Sequence, residues 1–99
     1  MTTVDQSDNL LKTINIIVKG KVQGVGFRNY VMTYALKNNI TGWVKNDINA
    51  RIVEIVCTAT SGDLKTFVER IQKGPSFSRI EKIDINDYPL EKFDTFVIK

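Results

Sequence analysis

The feature that most constrains the fold is a glycine-rich corner, GKVQGVGFRNYV at residues 20–31, which joins two different periodicities. Before it, Ile14, Ile16 and Val18 alternate with other residues, which predicts a strand with one apolar face. After it, apolar residues recur at helical spacing; they are Phe27, Val31, Met32, Ala35 and Leu36. The corner therefore predicts a strand, a short loop and a helix that ends near Asn38.

The rest of the chain supplies three more strands, a second helix and a closing strand. The strands are predicted at 42–46, 51–59 and 79–86, with a short one within 93–99. In the fourth strand, Ile83 and Ile85 are expected to face inward. The second helix follows Ser61 and Asp63 and ends at Gly74; its apolar positions are Leu64, Phe67, Val68 and Ile71. Residues 1–10 lack periodicity and predict a flexible tail before one domain, residues 11–99.

The order βαββαβ is typical of the α+β ferredoxin-like sandwich. In that fold two helices cover one face of a mainly antiparallel sheet, here with a short extra C-terminal strand. Because a helix crosses between the first two strands, those strands run in the same direction and end at the same edge of the sheet. Arg28 follows the first strand and Asn46 ends the second. We therefore expect both residues on one rim.

Two features of the composition narrow the chemistry. The 99 residues include no histidine, which excludes histidine bases, histidine metal ligands and histidine-activated nucleophiles. The single cysteine, Cys57, cannot form an internal disulfide, and we expect it to be a core thiol. No apolar run reaches membrane-spanning length and the N-terminus lacks a secretory signal, so the prediction is a cytoplasmic protein without a membrane segment.

Positive charge is concentrated in the first half of the chain. Between Asn9 and Asn46 there is no acidic residue, and the basic residues there are Lys12, Lys19, Lys21, Arg28, Lys37 and Lys45. This block is either a solvated surface or an electric field that attracts an anion, and the charge pattern leaves both interpretations open.

The glycine-rich corner has the properties of an anion-binding loop. Gly24 and Gly26 allow unusual backbone conformations, and the first amides of a helix have no partners within it. Arg28 adds a planar group that can hold two oxygens of an oxyanion. The alternative is a tight corner with Arg28 as surface charge. A Walker A loop is excluded because no Gly-Lys-Ser/Thr follows, and a dinucleotide fingerprint because Asn29 replaces its last glycine.

The pair GKVQGVGFRNYV and TGWVKN resembles the signature of the acylphosphatase family, and the later segments KGP, SRIEKIDI and FDTFVIK extend the resemblance over residues 13–99. It implies hydrolysis of acyl phosphates to a carboxylate and inorganic phosphate, without metal or cofactor. By position, Arg28 would bind the phosphate and Asn46 would orient the water. The backbone amides implied to hold the phosphoryl oxygens are those of Gln23, Gly24, Val25, Gly26 and Phe27.

One segment departs from the family pattern. Family members commonly have a glycine in the turn after the asparagine, whereas DINAR at 47–51 has none. The alternation after it suggests a turn one residue longer, in which Asn49 is expected to take the left-handed conformation. Asn46 itself has a second interpretation, as a strand-end residue that bonds to local backbone.

The expected partners follow from the resemblance: a small acyl phosphate as substrate, inorganic phosphate as product and inhibitor, and a monomeric protein. The rival hypothesis is a non-catalytic ferredoxin-like module that binds anions or RNA, but the chain lacks the aromatic pattern of such RNA-binding sheets. A domain of a larger maturation protein is a third hypothesis, disfavoured because the chain begins at Met1 with a short tail.

Overall fold

The computed structural model describes residues 10–99, so the tail predicted for residues 1–10 lies outside the described residues except for Leu10. The element order confirms the predicted βαββαβ arrangement with a short closing strand. The elements are β1 (Leu11–Lys21), α1 (Phe27–Lys37), β2 (Thr41–Asn46), β3 (Ile52–Thr60), α2 (Ser61–Lys73), β4 (Arg79–Tyr88) and β5 (Phe96–Ile98). No helix in this described part is both long and apolar enough to cross a membrane.

The five strands form one sheet in the order β4-β1-β3-β2-β5. β3 is antiparallel to both β1 and β2, and β4 is antiparallel to β1. β5 extends the sheet by pairing parallel to β2. Since β1 and β2 share an antiparallel neighbour, they run in the same direction and end at the same edge of the sheet. The loop after β1 and the turn after β2 therefore lie on one rim.

The core lies between the sheet and the two helices. The predicted inward positions of β1 are buried, and Ile16 is paired with Ile55 of the central strand. Each helix contributes a row of buried residues that packs on the sheet. The residues are Phe27, Val31 and Ala35 of α1, and Leu64, Phe67 and Ile71 of α2. The hydroxyl of Thr60 caps α2 by accepting from the Asp63 N–H at 3.3 Å, so the helix begins where its predicted N-terminal residues indicated.

Two apolar positions are more exposed than expected: Leu36, and Ile85, which faces the helices as predicted. Leu36 is 51% exposed because it lies on the opposite side of α1 from the buried residue Phe27. Ile85 is 50% exposed, although its partner Ile16 is buried. The reason is its place on β4, an edge strand, whose outer half has no neighbouring strand to cover it.

The outer face of the sheet is partly covered by the crossing segment, residues 89–95. β4 and β5 lie at opposite edges, so the chain must cross the sheet to connect them. Beneath it the Glu91 N–H donates to the Thr13 hydroxyl at 2.9 Å, and the Thr58 hydroxyl donates to the Glu91 carbonyl at 2.6 Å. The two hydroxyls are 2.5 Å apart, which closes a hydrogen-bonded ring. Thr58 and Val56 are consequently buried, although they lie on the face of the sheet opposite to the helices.

We expect Thr58→Val to lower the free energy of unfolding by about 1–2 kcal/mol, because the Glu91 carbonyl loses its 2.6 Å donor while the side-chain volume is kept. Urea unfolding measures this change. Thr41→Val is the matched control on the neighbouring strand, since the Thr41 hydroxyl lies 3.5 Å from its nearest carbonyl. Equal losses in the two variants would contradict a structural role for the ring.

Candidate active site

The loop between β1 and α1 depends on two glycines with positive φ. Gly24 has φ 74° and Gly26, which caps α1, has φ 78°. A Cβ atom at either residue would meet nothing within 4 Å. Glycine is therefore favoured here by backbone conformation rather than by lack of space.

The backbone amides of this loop are not consumed by the fold. The N–H of Tyr30 makes the first helical bond, to the Gly26 carbonyl at 3.0 Å. Within residues 10–99, no hydrogen bond is donated by the N–H groups of Gln23–Phe27. No side chain caps α1, and its first turn contains no acidic residue. These donors lie at the positive end of the helix dipole, where an anion is stabilised.

Arg28 is half-buried in the first turn of α1. It takes part in no ion pair or hydrogen bond with the residues that the structure describes. Its charge is therefore not neutralised by a carboxylate of the described chain. The exposed side chains of Lys21 and Lys45 belong to the strands that end at this rim, and they add to its positive potential.

Asn46 is the last residue of β2 and faces the helices, as its neighbour on the same face, the buried Val44, shows. Its Oδ1 atom is buried and has no hydrogen-bond partner in the described protein. The alternative in which Asn46 bonds to local backbone is thus not what the structure contains. A buried acceptor without a donor is costly, so this oxygen is suited to bind a ligand or water.

The side chain of Gln23 joins the loop to the turn after β2. Its Nε2 donates to the carbonyl oxygens of Asp47 at 3.0 Å, Asn49 at 3.1 Å and Ile52 at 2.9 Å. The family resemblance implied a role only for the backbone amide of Gln23, and this side-chain contact was not predicted. The sequence did contain a signal for this contact. Gln23 has an amide side chain in a glycine-rich loop, and the loop was predicted to lie on the same rim as the turn after β2.

The turn at 47–51 is built from side-chain to backbone hydrogen bonds rather than from a glycine. Asp47 Oδ2 accepts from the Asn49 N–H, and Asn49 Oδ1 accepts from the Arg51 N–H, each at 2.9 Å. The expectation that Asn49 is left-handed is wrong: in residues 10–99 the non-glycine residue with positive φ is Asn39, at 57°. The two bonds stabilise the turn without that conformation. Its register places Asn46 opposite Val53.

An ion pair anchors the same turn to the far side of the sheet. Arg51 pairs with Glu81 of β4, and the Arg51 carbonyl accepts from the Gly20 N–H at 2.9 Å. The hydrogen bond from Arg51 is the main cause that holds the pKa of the Glu81 carboxyl below its ordinary value. The turn is thereby tied to β1 and β4 as well as to the loop.

Other reactive groups lie away from this rim. Cys57 is buried as expected, and desolvation raises the pKa of its thiol to about 12, so the thiol stays protonated at neutral pH. In the described part of the chain, no three cysteine, aspartate or glutamate side chains are arranged to hold a metal ion. The groups of the rim that have no partner within residues 10–99 are thus the loop amides, the Arg28 guanidinium and the Asn46 Oδ1 atom.

Comparisons with known proteins agree on one family. A family model described as acylphosphatase matches residues 14–98. The chain is 38% identical over 90 residues to an acylphosphatase of Leuconostoc mesenteroides, an alignment that covers 90% of this chain and 99% of that protein. The crystal structure of acylphosphatase from Bacillus subtilis is similar with a TM-score of 0.84 and 38% identity, covering 91% of this chain and 99% of that one.

The same domain also occurs in longer proteins. The chain is 45% identical over 87 residues to a probable carbamoyltransferase HypF of Methanocaldococcus jannaschii, which covers 86% of this chain. It spans 11–12% of the length of the HypF relatives that it matches. The likeness therefore concerns this domain and not the whole of those proteins.

We expect Gln23→Met to lower the free energy of unfolding by about 1–2 kcal/mol and to speed amide exchange in the turn 47–52, because three carbonyls lose a donor. Urea unfolding and hydrogen exchange measure the two effects. Gln72→Met is the control, since Gln72 is exposed on α2 and makes no side-chain hydrogen bond within residues 10–99. Unchanged exchange in the turn would contradict the anchoring role of Gln23.

The Arg51–Glu81 pair predicts a pH dependence of stability. The pKa of Glu81 is lower in the folded state than in the unfolded state. The charged carboxyl therefore stabilises the fold above the unfolded-state pKa, and this stabilisation is lost as the pH falls through the folded-state pKa. The difference in melting temperature between the wild type and Glu81→Gln should become smaller as the pH is lowered through the folded-state pKa of Glu81. Glu69→Gln, which removes a carboxylate in no ion pair within residues 10–99, should show no such trend. A difference independent of pH would rule out the linkage.

Proposed function

The chain belongs to the acylphosphatase family, and we propose that it hydrolyses the carboxyl–phosphate bond of small acyl phosphates, releasing a carboxylate and inorganic phosphate. The observation that carries the residue assignments is the convergence on one rim of unpaired loop amides, an unneutralised Arg28 and the partnerless Oδ1 of Asn46. These three supply the donors and the acceptor that such a reaction needs.

The loop and Arg28 bind the phosphoryl group in this proposal. The amides of residues 23–27 donate to its oxygens, as their lack of other partners favours. The guanidinium holds two further oxygens side by side and stabilises the charge that spreads over them during transfer. Because backbone donors are already fixed in place by the fold, little reorganisation is needed in the transition state.

Asn46 orients the attacking water. Its Oδ1 accepts a hydrogen from the water, which directs a lone pair of the water oxygen toward phosphorus. The bond from that oxygen to phosphorus forms as the bond to the acyl oxygen breaks on the opposite side. One proton of the water passes to a phosphoryl oxygen of the substrate, so no protein base is required.

The departing carboxylate needs no general acid. The conjugate acid of such a group has a pKa of about 4, so at neutral pH it leaves as an anion. The absence of histidine from the sequence is consequently compatible with the reaction. We propose that the protein acts as a cytoplasmic monomer with inorganic phosphate as a product inhibitor and no cofactor.

The rival hypothesis of RNA binding on the sheet has less support. The crossing segment covers part of the outer face, and residues Thr13, Val56 and Thr58 beneath it are buried. The Trp43 ring on that face is already occupied by Lys99, whose Nζ lies 4.5 Å from its centroid. Little aromatic surface is left on which bases could stack.

The proposed roles predict different losses at the two residues. Arg28→Ala should abolish both turnover of benzoyl phosphate and inhibition by inorganic phosphate. Asn46→Ala should lower kcat about a hundredfold or more while phosphate inhibition is largely kept, because only water orientation is lost. Initial rates of phosphate release, with phosphate as competitor, measure both.

Matched controls are Lys65→Ala and Asn86→Ala, which change an exposed cation of α2 and an exposed amide of β4, both away from the rim. Both should retain wild-type rates. Near wild-type turnover by Asn46→Ala would refute the water-orienting role. Tight, salt-dependent RNA binding by a protein that releases no phosphate from benzoyl phosphate would instead favour the binding module.

A further inference from the structure

A groove between α1 and α2 begins at the phosphate-binding loop. Its volume is about 760 Å³. It is lined by Gly26, Asn29, Tyr30, Thr33, Tyr34, Lys37, Asn38 and Arg70. Gly26 belongs to both the loop and the groove, so a ligand held by the loop has direct access to this interhelical groove.

The interhelical groove and Arg28 lie on opposite flanks of α1. Successive residues of a helix are about 100° apart, so Tyr30 and Tyr34 fall on one side of the buried stripe and Arg28 on the other. α2 is on the first side, because Arg70 of α2 contacts both tyrosines.

In an in-line displacement the leaving group departs opposite to the water. A water held by Asn46 on β2 therefore directs the acyl group away from that strand.

The groove carries a net positive charge. Lys37 and Arg70 line it, and no acidic residue does. Neither cation takes part in an ion pair within residues 10–99. The Arg70 guanidinium lies over the Tyr34 ring, 5.1 Å from its centroid, and its N–H groups donate to no residue within 10–99, so they are able to donate to a ligand. Such a group recognises a carboxylate.

The position of Arg70 sets the length of the ligand. Tyr30 and Tyr34 lie about 6 and 12 Å from Gly26 along the helix axis. The Tyr30 hydroxyl donates to the Arg70 carbonyl at 3.0 Å and the guanidinium lies over the Tyr34 ring, so the charged group lies beside the second turn of α1. Measured from phosphorus, an extended acyl chain of four or five carbon atoms reaches about 6–8 Å to its last carbon. It would bring a terminal carboxylate near this guanidinium.

Resting on the proposed function, we propose that the interhelical groove is the subsite for the acyl group and favours acyl phosphates that carry a second carboxylate four to five carbons along the chain. Arg70 is the residue that determines this preference. Tyr30 and Tyr34 contact the aliphatic carbons between the two charges.

The test compares succinyl phosphate with butyryl phosphate, which have acyl chains of equal length and differ in the terminal carboxylate. In the wild type at low ionic strength, kcat/KM should be higher for succinyl phosphate. Arg70→Gln should lower the ratio of the two values about threefold, through KM for succinyl phosphate. Lys73→Gln removes a charge from the same helix outside the groove and should leave the ratio unchanged.

Different failures have different meanings. Hydrolysis of both substrates with a ratio that Arg70→Gln leaves unchanged would overturn the groove proposal while the proposed function stands. A fall in the ratio that Lys73→Gln matches would also overturn it, because a general field would then be the cause. Hydrolysis of neither substrate by the wild type would overturn both proposals. Arg70→Lys, which keeps the charge, should retain most of the preference, and an unchanged kcat/KM of Arg70→Gln for butyryl phosphate shows that this variant is folded.

Discussion

The central constraint on this protein is the antiparallel pairing of β3 with both β1 and β2. It forces the two flanking strands to run in the same direction, so segments more than twenty residues apart meet at one rim. The loop that leaves β1 and the turn that leaves β2 have no other reason to be neighbours. Every feature of the candidate site, from the amides of the loop to the carboxamide of Asn46, depends on that pairing.

Two sets of contacts then hold the loop after β1 and the turn after β2 in a fixed relative position. On one side, the carboxamide of Gln23 spans the gap between loop and turn through three carbonyl oxygens. On the other, Arg51 connects the turn to β1 by its carbonyl and to β4 by its guanidinium. The turn is also closed internally by its own Asp47 and Asn49 side chains. The groups proposed to hold phosphate and water are thus supported by one continuous network.

The sequence predicted what depends on periodicity and chain direction. The order of strands and helices, the shared rim and the glycine corner follow from local spacing and chain direction, and the structure confirms them. Contacts that depend on distant side chains were not accessible. The ring of Thr13, Thr58 and Glu91 joins residues from three separate segments. The exposure of Ile85 depends on which strand occupies the edge, and the turn at Asn49 depends on bonds that pattern alone does not reveal.

In the loop that we propose binds phosphate, the arrangement of the amide donors depends on torsion angles more than on side chains. Substitutions at Val25 leave the backbone donors in place, and the two glycines have free space around their Cα atoms. Few positions of the loop are therefore sensitive to substitution. They are the two positive-φ positions, where a residue with a side chain must accept strain of roughly 1–2 kcal/mol rather than a steric clash. A site built from backbone amides tolerates changes of side chain at its other positions. The proposed roles of Arg28 and Asn46, by contrast, depend on their own side chains.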